Sequence, residues 1–393
     1  MNNEARLVKL VIKEIVFREN SREIKDCLTS SNIDWLRFKE LISYHELAPF
    51  VYPVIKDLDS SVPEDIIEFF KNNYYCSLIR CEKLWREFIR IEGAFKAEGL
   101  TILPIKGVAL LYDIYQDMPV RPMTDIDLLV KEEDIEKSEQ VFYDLGYEKD
   151  LYGLKEEYWR NSQCHIAFHK KENNAAFVEL HWGLDFKRKN RALLPELWER
   201  MREIGIEGRT VKLLSPEDTL FSLALHKRRY GKTLLLKNIL DAAILLNKYN
   251  SSFDWGYCLS QCRKYNLSST LFFILYQISF IADIQIPVKI WQVLDVPIWK
   301  KNAIKGIITH NTFGLDSIEM KELYLRSHIF LYDSIWEAMG YIFNVPQEQF
   351  AKFYGLDTYS KKSEFFYKNR LLYIPYNFCH SLFTDMIGVL RGE

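Results

Sequence analysis

The sequence predicts an α+β protein, with a small mixed sheet in residues 96–214 between a helical N-terminal region, 1–95, and a helical C-terminal region, 215–393. Three observations lead there. Apolar residues recur at helical spacing through the first block with no strand alternation. Short β-rich runs gather between residues 101 and 181, and helical character returns after 215. At 393 residues the chain also exceeds what one ordinary core holds, so several blocks are expected.

In the first block Leu7, Leu10, Val11, Ile15 and Val16 mark one helix. Trp35, Phe38, Leu41 and Ile42 mark another after Asp34, and residues 76–95 a third. Residues 101–105 read as a strand cut off by Lys106 and Gly107, with a helix from Val108 to about Tyr115. A loop with two prolines spans 118–124, and the segment DIDLLV, 125–130, reads as a strand. Residues 132–145 form a helix that Gly146 closes as the residue after its C-cap. Residues 164–170 and 175–181, joined by a turn at Glu172, Asn173 and Asn174, predict a β-hairpin. Ser215, Pro216 and Asp218 then start a helix through Leu225, since Ser accepts from free amides and Pro needs none in a first turn. The strands are expected to stop largely after the hairpin. There is no internal repeat or low-complexity run. The apolar stretch LFFILYQISFIA, 271–282, is broken by Gln277 and Ser279 and ended by Asp283, too short for the roughly 20 residues a bilayer requires. The tail, 371–390, carries Pro375, Asn377, His380 and Asp385 and reads as a packed helix.

Composition excludes some functions. Hydrophobic residues at 48% and charged residues at 27% match a globular chain rather than a disordered one. Lys plus Arg number 52 against 54 Asp plus Glu, so no global field draws the chain to genomic nucleic acid or an anionic membrane, and any polyanion site is local. Seven scattered cysteines without a signal peptide read as reduced thiols of a cytoplasmic protein.

The chemistry starts at Asp125 and Asp127. Side chains at i and i+2 on a strand share a face, so both carboxylates project together while Ile126 and Leu128 pack behind. Such a pair repels unless a cation screens it, and hard oxygen donors at this spacing suit Mg²⁺ or Mn²⁺. On the same reasoning, neutralising Asp127 is expected to leave stability unchanged or raised. Glu179 is a charge within an otherwise apolar strand, and it would supply the third carboxylate that a two-metal site needs. Lys106 and Gly107, between a strand and a helix start, would let a phosphate approach free amides.

The run IKGVALLYDIYQDMPVRPMTDIDLLV, 105–130, followed by VELHW, 178–182, resembles the bacterial nucleotidyltransferase-like proteins of the DNA polymerase beta superfold, in their largely uncharacterised five-type family. The resemblance is strongest over 96–185. It implies that Asp125, Asp127 and Glu179 are catalytic and hold two Mg²⁺ ions on a nucleoside triphosphate such as ATP. An acceptor oxygen would attack the α-phosphorus and pyrophosphate would leave, with Glu179 a candidate for taking the acceptor's proton. Lys106, Gly107 and Val108 would contact the nucleotide. Val108 stands where the superfamily usually has Gly or Ser, so a hydroxyl on the phosphate is missing, and Lys106 and Arg121 would compensate. The acceptor implied by such relatives is a sugar, a lipid-linked group, a peptide or another small molecule.

Arg121, four residues before Asp125, is within reach of either the acids or a phosphate. A basic run, His226, Lys227, Arg228, Arg229, Lys232 and Lys237, would close over the triphosphate if one helical face gathers part of it; His226 and Lys237 are its nucleotide-binding candidates. Gly231, Lys232 and Thr233 look like the end of a P-loop, but His226 stands where that motif needs Gly. Asp241, on the following helix, resembles a polar position of the family's helical domain, with a helix–helix hydrogen bond as the alternative reading. His165, His169 and His181 invite a metal reading; a hairpin turn at 172–174 puts His165 opposite His181 and Ala167 opposite Glu179 at the acid rim, where substrate contact or packing is favoured over a zinc site that would lack its full ligand set and second shell. Cys258 and Cys262 read as core. Two other functions fit parts of the pattern: a non-catalytic nucleotide-binding or scaffold protein on the same fold, and a D-x-D glycosyltransferase, which would carry several strands before the D-x-D.

Overall fold

The computed structural model describes residues 2–19, 21–56, 58, 62–115, 120–171, 176–186, 194–230, 234–313 and 329–376, with backbone only at 21, 194, 229 and 230. The turn at Glu172, Asn173 and Asn174, the segment Gly231, Lys232 and Thr233, residues 116–119 and the tail beyond 376 lie outside them, as does the Arg229 side chain.

Five helices open the chain: α1 (Asn3–Phe17), α2 (Ser21–Ser30), α3 (Trp35–Tyr44), α4 (Ala48–Ile55) and α5 (Glu64–Ala97). Side-chain caps set two of the starts. Asn2 accepts from the Ala5 amide at 2.9 Å, and Asp34 accepts from the Arg37 amide at 2.9 Å. The helix expected from residue 76 begins at Glu64.

The sheet follows, as β1 (Leu103–Ile105), α6 (Gly107–Asp113), β2 (Asp125–Leu129), α7 (Ile135–Asp144), β3 (Glu148–Asp150), α8 (Glu156–Ser162), β4 (His165–His169) and β5 (Phe177–His181). Its order is β1-β2-β5-β4-β3, with β2 and β5 parallel and the other pairs antiparallel. This is the small mixed sheet the sequence predicts, and only β1 precedes the D-x-D strand among the described residues. The hairpin register places His165 opposite His181 and Ala167 opposite Glu179. Strands do not stop there. After α9 (Leu194–Glu199) comes a second hairpin, β6 (Arg202–Ile206) and β7 (Arg209–Leu213), turned at Glu207 and Gly208 with φ of 50° and 76°. Positive φ at both central residues is the two-residue turn whose twist suits a hairpin.

Among the described residues that follow, the elements are all helices: α10 (Pro216–Tyr230), α11 (Leu236–Tyr249), α12 (Trp255–Tyr265), α13 (Ser268–Ala282), α14 (Val288–Val293), α15 (Ile298–Asn311), α16 (Ile335–Phe343), α17 (Gln347–Phe353) and α18 (Lys361–Lys368). Ser215 accepts from the Asp218 amide at 3.1 Å and starts α10, which runs to Tyr230 rather than ending at Leu225. Cys258 and Cys262 are buried on α12. The apolar run 271–282 forms the buried body of α13, and no described helix is long and apolar enough to cross a membrane.

Alternation divides the sheet between two cores. Ile126 and Leu128 of β2, with Val178 and Leu180 of β5, pack against the second half of α5, α6 and α7. Leu103, Ile105 and Leu129 face the other way and join α1, α3, α4, α10, α11 and α13 in a core shared by the N- and C-terminal helices. A polar clamp ties the two together. Ser77 and Cys81 of α5 donate to the Val120 and Arg121 carbonyls at 2.7 and 3.2 Å. The Arg121 guanidinium reaches Asp241 of α11 at 2.9 and 2.8 Å, and Tyr115 donates to the same carboxylate at 2.8 Å.

Because this pair is buried, removing one partner strands a charge. Asp241→Ala is expected to cost about 3–5 kcal/mol of unfolding free energy in urea titrations, and Arg121→Met with Asp241→Leu to recover most of it. A single-variant loss under about 1 kcal/mol, the value of a surface pair, would show that the clamp does not hold the regions together.

Candidate functional site

The parallel register sets Asp127 of β2 beside Glu179 of β5, and Asp125 beside Phe177. With Ile126 and Leu128 turned into the core, the three carboxylates share the opposite face. They line one wall of a cavity of about 720 Å³, whose other walls come from α5, α10 and α11. Antiparallel pairing of Ile105 with Asp127 brings the next residue, Lys106, to the same place. Lys106 caps α6 at φ 55° and ψ −121°, a backbone that L residues rarely adopt, and its ammonium pairs with Asp127 Oδ1. Gly107 follows because a Cβ there would lie 3.1 Å from Met123 Sδ and 3.4 Å from the Arg121 guanidinium.

His181 completes the cluster. Its Nε2 lies 2.9 Å from Asp127 Oδ1 and 3.1 Å from Glu179 Oε2, and its ring stacks on His165 at 4.9 Å. His165 Nε2 is 3.8 Å from Glu179 Oε1. Burial alone would raise Asp127, but Lys106 and His181 outweigh it and hold its carboxyl well below the usual range. Burial is likewise outweighed at Glu179, where His165 and His181 keep the carboxyl low. His181 itself is pushed up to about 10: burial and Lys106 oppose its charge, while hydrogen bonds with Asp127, Cys164 and Glu179 favour it. Asp125 has the opposite fate. It makes no hydrogen bond or ion pair among the described residues, and burial, with Asp127 and Glu179 adding repulsion, pushes it up to about 7. The like-charge strain expected at Asp127 therefore falls on Asp125, because two cations embrace Asp127.

Of the sequence candidates, Lys106, Gly107, Arg121, Asp125, Asp127, Glu179, His226 and Lys237 all line the cavity. Val108 does not; its side chain is buried in the core behind the sheet, which leaves only its backbone for a ligand. Arg121 pairs with neither the acids nor open space: Asp241 takes its guanidinium. Lys237 pairs with Glu46. The basic run on α10 splits, since Arg228 turns away to Asp185 and lies over the Tyr332 ring at 4.7 Å. Lys227, only 3% exposed, lines the cavity. It donates to the Leu235 carbonyl at 3.3 Å, and burial pushes it down to about 7. The sequence reading names Lys227 in the basic run without singling it out, although Leu220, Leu223 and Ala224 put it on the buried face of α10 by helical period. It omits Asn238 and Arg80, whereas the hairpin register sets His181 at the acid rim, where the structure has it.

The donor set fits hard divalent cations, with three carboxylates from adjacent strands facing Lys106 and His181 and Asp125 held in no ion pair among the described residues. Without such a cation, folding must hold a proton on Asp125 between pH about 4 and about 7 that the unfolded chain releases, so this group's contribution to stability declines as pH rises through that window. In chelator, Asp125→Asn is expected to melt above wild type near pH 8, the gap closing towards about pH 4; a gap independent of pH contradicts the assignment. Asp127→Asn is expected to lose about 3–5 kcal/mol in the same buffer, because it leaves Lys106 and His181 without their shared carboxylate.

No curated protein and no solved structure matches the chain. A family model described as an uncharacterised nucleotidyltransferase matches residues 31–280, a span that contains the sheet, the clamp and every residue of the cavity wall. That match covers more than half of the sequence and encloses the convergent acids, and on it the chain belongs to this family of uncharacterised nucleotidyltransferases.

Proposed function

We propose that the chain moves a nucleoside monophosphate from a nucleoside triphosphate to a hydroxyl or phosphate of a small-molecule, sugar or peptide acceptor, releasing pyrophosphate. The observation that carries this reading is the register of β2 with β5, which places Asp127 against Glu179, and Asp125 beside them, at one wall of an open cavity. Bound at these carboxylates, Mg²⁺ or Mn²⁺ would neutralise charge spreading over the phosphoryl oxygens.

The chain's own groups do the rest. Lys106, held in a strained backbone, keeps a cation at the acid wall and offers it to a phosphate once Asp127 has another partner. His181 orients both Asp127 and Glu179 by one ring nitrogen. Glu179, kept ionised by two imidazoles, would offer its carboxylate to a metal ion. Across the cavity, Lys227, His226 and Asn238 give the helical wall a positive and hydrogen-bonding character suited to an anionic nucleotide. The acceptor oxygen forms its bond to the α-phosphorus as the bond to the β-phosphate oxygen breaks, and the acceptor's proton leaves with solvent or pyrophosphate.

Incubating cell extract with the protein, Mg²⁺ and labelled nucleoside triphosphate, followed by mass spectrometry, is expected to reveal a nucleotidylated product. Asp125→Asn and Asp127→Asn are each expected to lower its formation by about 100-fold or more; full turnover in either variant contradicts the role. Mg²⁺ with nucleotide at about 100 times its Kd is expected to stabilise the wild type by about 2.7 kcal/mol, more than Mg²⁺ alone. A melt indifferent to both would favour a scaffold without turnover.

A further inference from the structure

His181 has two ring nitrogens, and the acids use one. His165 and His181 stand opposite each other in the β4–β5 pair with rings 4.9 Å apart and 26° from parallel. Both Nε2 atoms face carboxylates, His181 at 2.9 and 3.1 Å and His165 at 3.8 Å. On the other side lies Cys164, whose sulfur is 3.9 Å from His165 Nδ1. The Cys164 sulfur and one nitrogen from each imidazole all lie within 4.8 Å of one another. His181 Nδ1 is buried, and the Cys164 thiol, which favours the charged His181 ring, is in no disulfide. All three residues are more than nine-tenths buried, so this group of donors is held in place by the sheet rather than by solvent.

We propose that Cys164, His165 and His181 form a binding site for a soft divalent transition-metal ion, Zn²⁺ first among them, directly behind the acidic wall. One sulfur and two imidazole nitrogens are the donors Zn²⁺ prefers and Mg²⁺ does not. The two sites therefore sort cations by softness although they share a histidine. An ion at Nδ1 of His181 takes the place of a proton there, and the Cys164 thiol proton also passes to solvent. Nε2–H stays directed at Asp127 and Glu179, the carboxylate–histidine–metal arrangement in which a metal fixes ring orientation. The ion would lock the ring that positions two of the three acids. Its way in runs past Glu179, which borders both the cavity and His165.

The test uses the full chain stripped by chelator and titrated with Co²⁺ in excess Mg²⁺ without nucleotide, so its outcome is independent of nucleotidyl transfer. The expected result is about one equivalent of Co²⁺ with sulfur-to-cobalt charge-transfer absorption in the near ultraviolet, displaced by Zn²⁺. Cys164→Ser is expected to abolish that band, and Cys76→Ser, at an exposed thiol, to keep it. His165→Gln, which keeps a side chain of similar bulk, is expected to weaken Co²⁺ binding by about 10–100-fold with the melting curve still cooperative. A wild-type protein without the band, or a band that survives Cys164→Ser, overturns the site.

Discussion

The pairing register of β2 with β5 is the constraint on which the site depends. Asp127 meets Glu179 because Ile126 meets Val178 and Leu128 meets Leu180 on the reverse face, where all four are buried. A slip of one residue would turn Glu179 toward the core and expose Val178 and Leu180 to the cavity, so burial on one face specifies chemistry on the other. The convergence of the acids thus needs no attraction among them, which is fortunate, since carboxylates at this spacing repel. Antiparallel β4 adds a second restraint by placing the small Ala167 beside Glu179 and His165 beside His181.

Charge balance then distinguishes acids that look alike in sequence. Asp127 sits between Lys106 and His181, and Glu179 between His181 and His165, whereas at Asp125 burial and repulsion from the other two acids outweigh the more distant Lys106 and Arg121. Arg121 relieves Asp125 only in part and makes no ion pair with it, because α11 supplies a carboxylate of better geometry, with two donors meeting two oxygens. That choice has a structural return. The loop before β2 is bolted to the helices that form the opposite cavity wall, and the acid strand and helical wall hold their spacing through one buried pair.

Much of this was legible in the sequence and some was not, for physical reasons. The D-x-D strand and the hairpin register follow from period-two alternation, and both are present at the expected residues. β3 offered no such signal, being three residues of Glu, Lys and Asp at the sheet's edge. The β6–β7 hairpin did carry one: Ile204, Ile206, Val211 and Leu213 alternate around Glu207 and Gly208, but Glu at the first turn position masks the usual Asn-Gly or Asp-Gly signature. The partner of Arg121 lies on a helix more than a hundred residues away, beyond any local pattern. Gly107 was legible as a position needing a small residue, yet what crowds it is Met123 and Arg121 of its own chain.

The two walls of the cavity differ in sign, and that polarity bears on what binds. The sheet wall is acidic. On the helical wall Lys227 is buried with one long bond among the described residues, to the Leu235 carbonyl, while the oxygens of Asp241, the acid whose charge favours its ammonium, are already occupied by Tyr115 and Arg121. Burial holds its ammonium near its titration point, so an anion brought beside it would return the charge that desolvation removes. A lone cation would satisfy only the sheet, and a lone anion only the helices. On the proposed reading, a ligand carrying a cation at one end and phosphates along its length would satisfy both walls at once, across a cavity of about 720 Å³ whose two sides the buried Arg121–Asp241 pair joins.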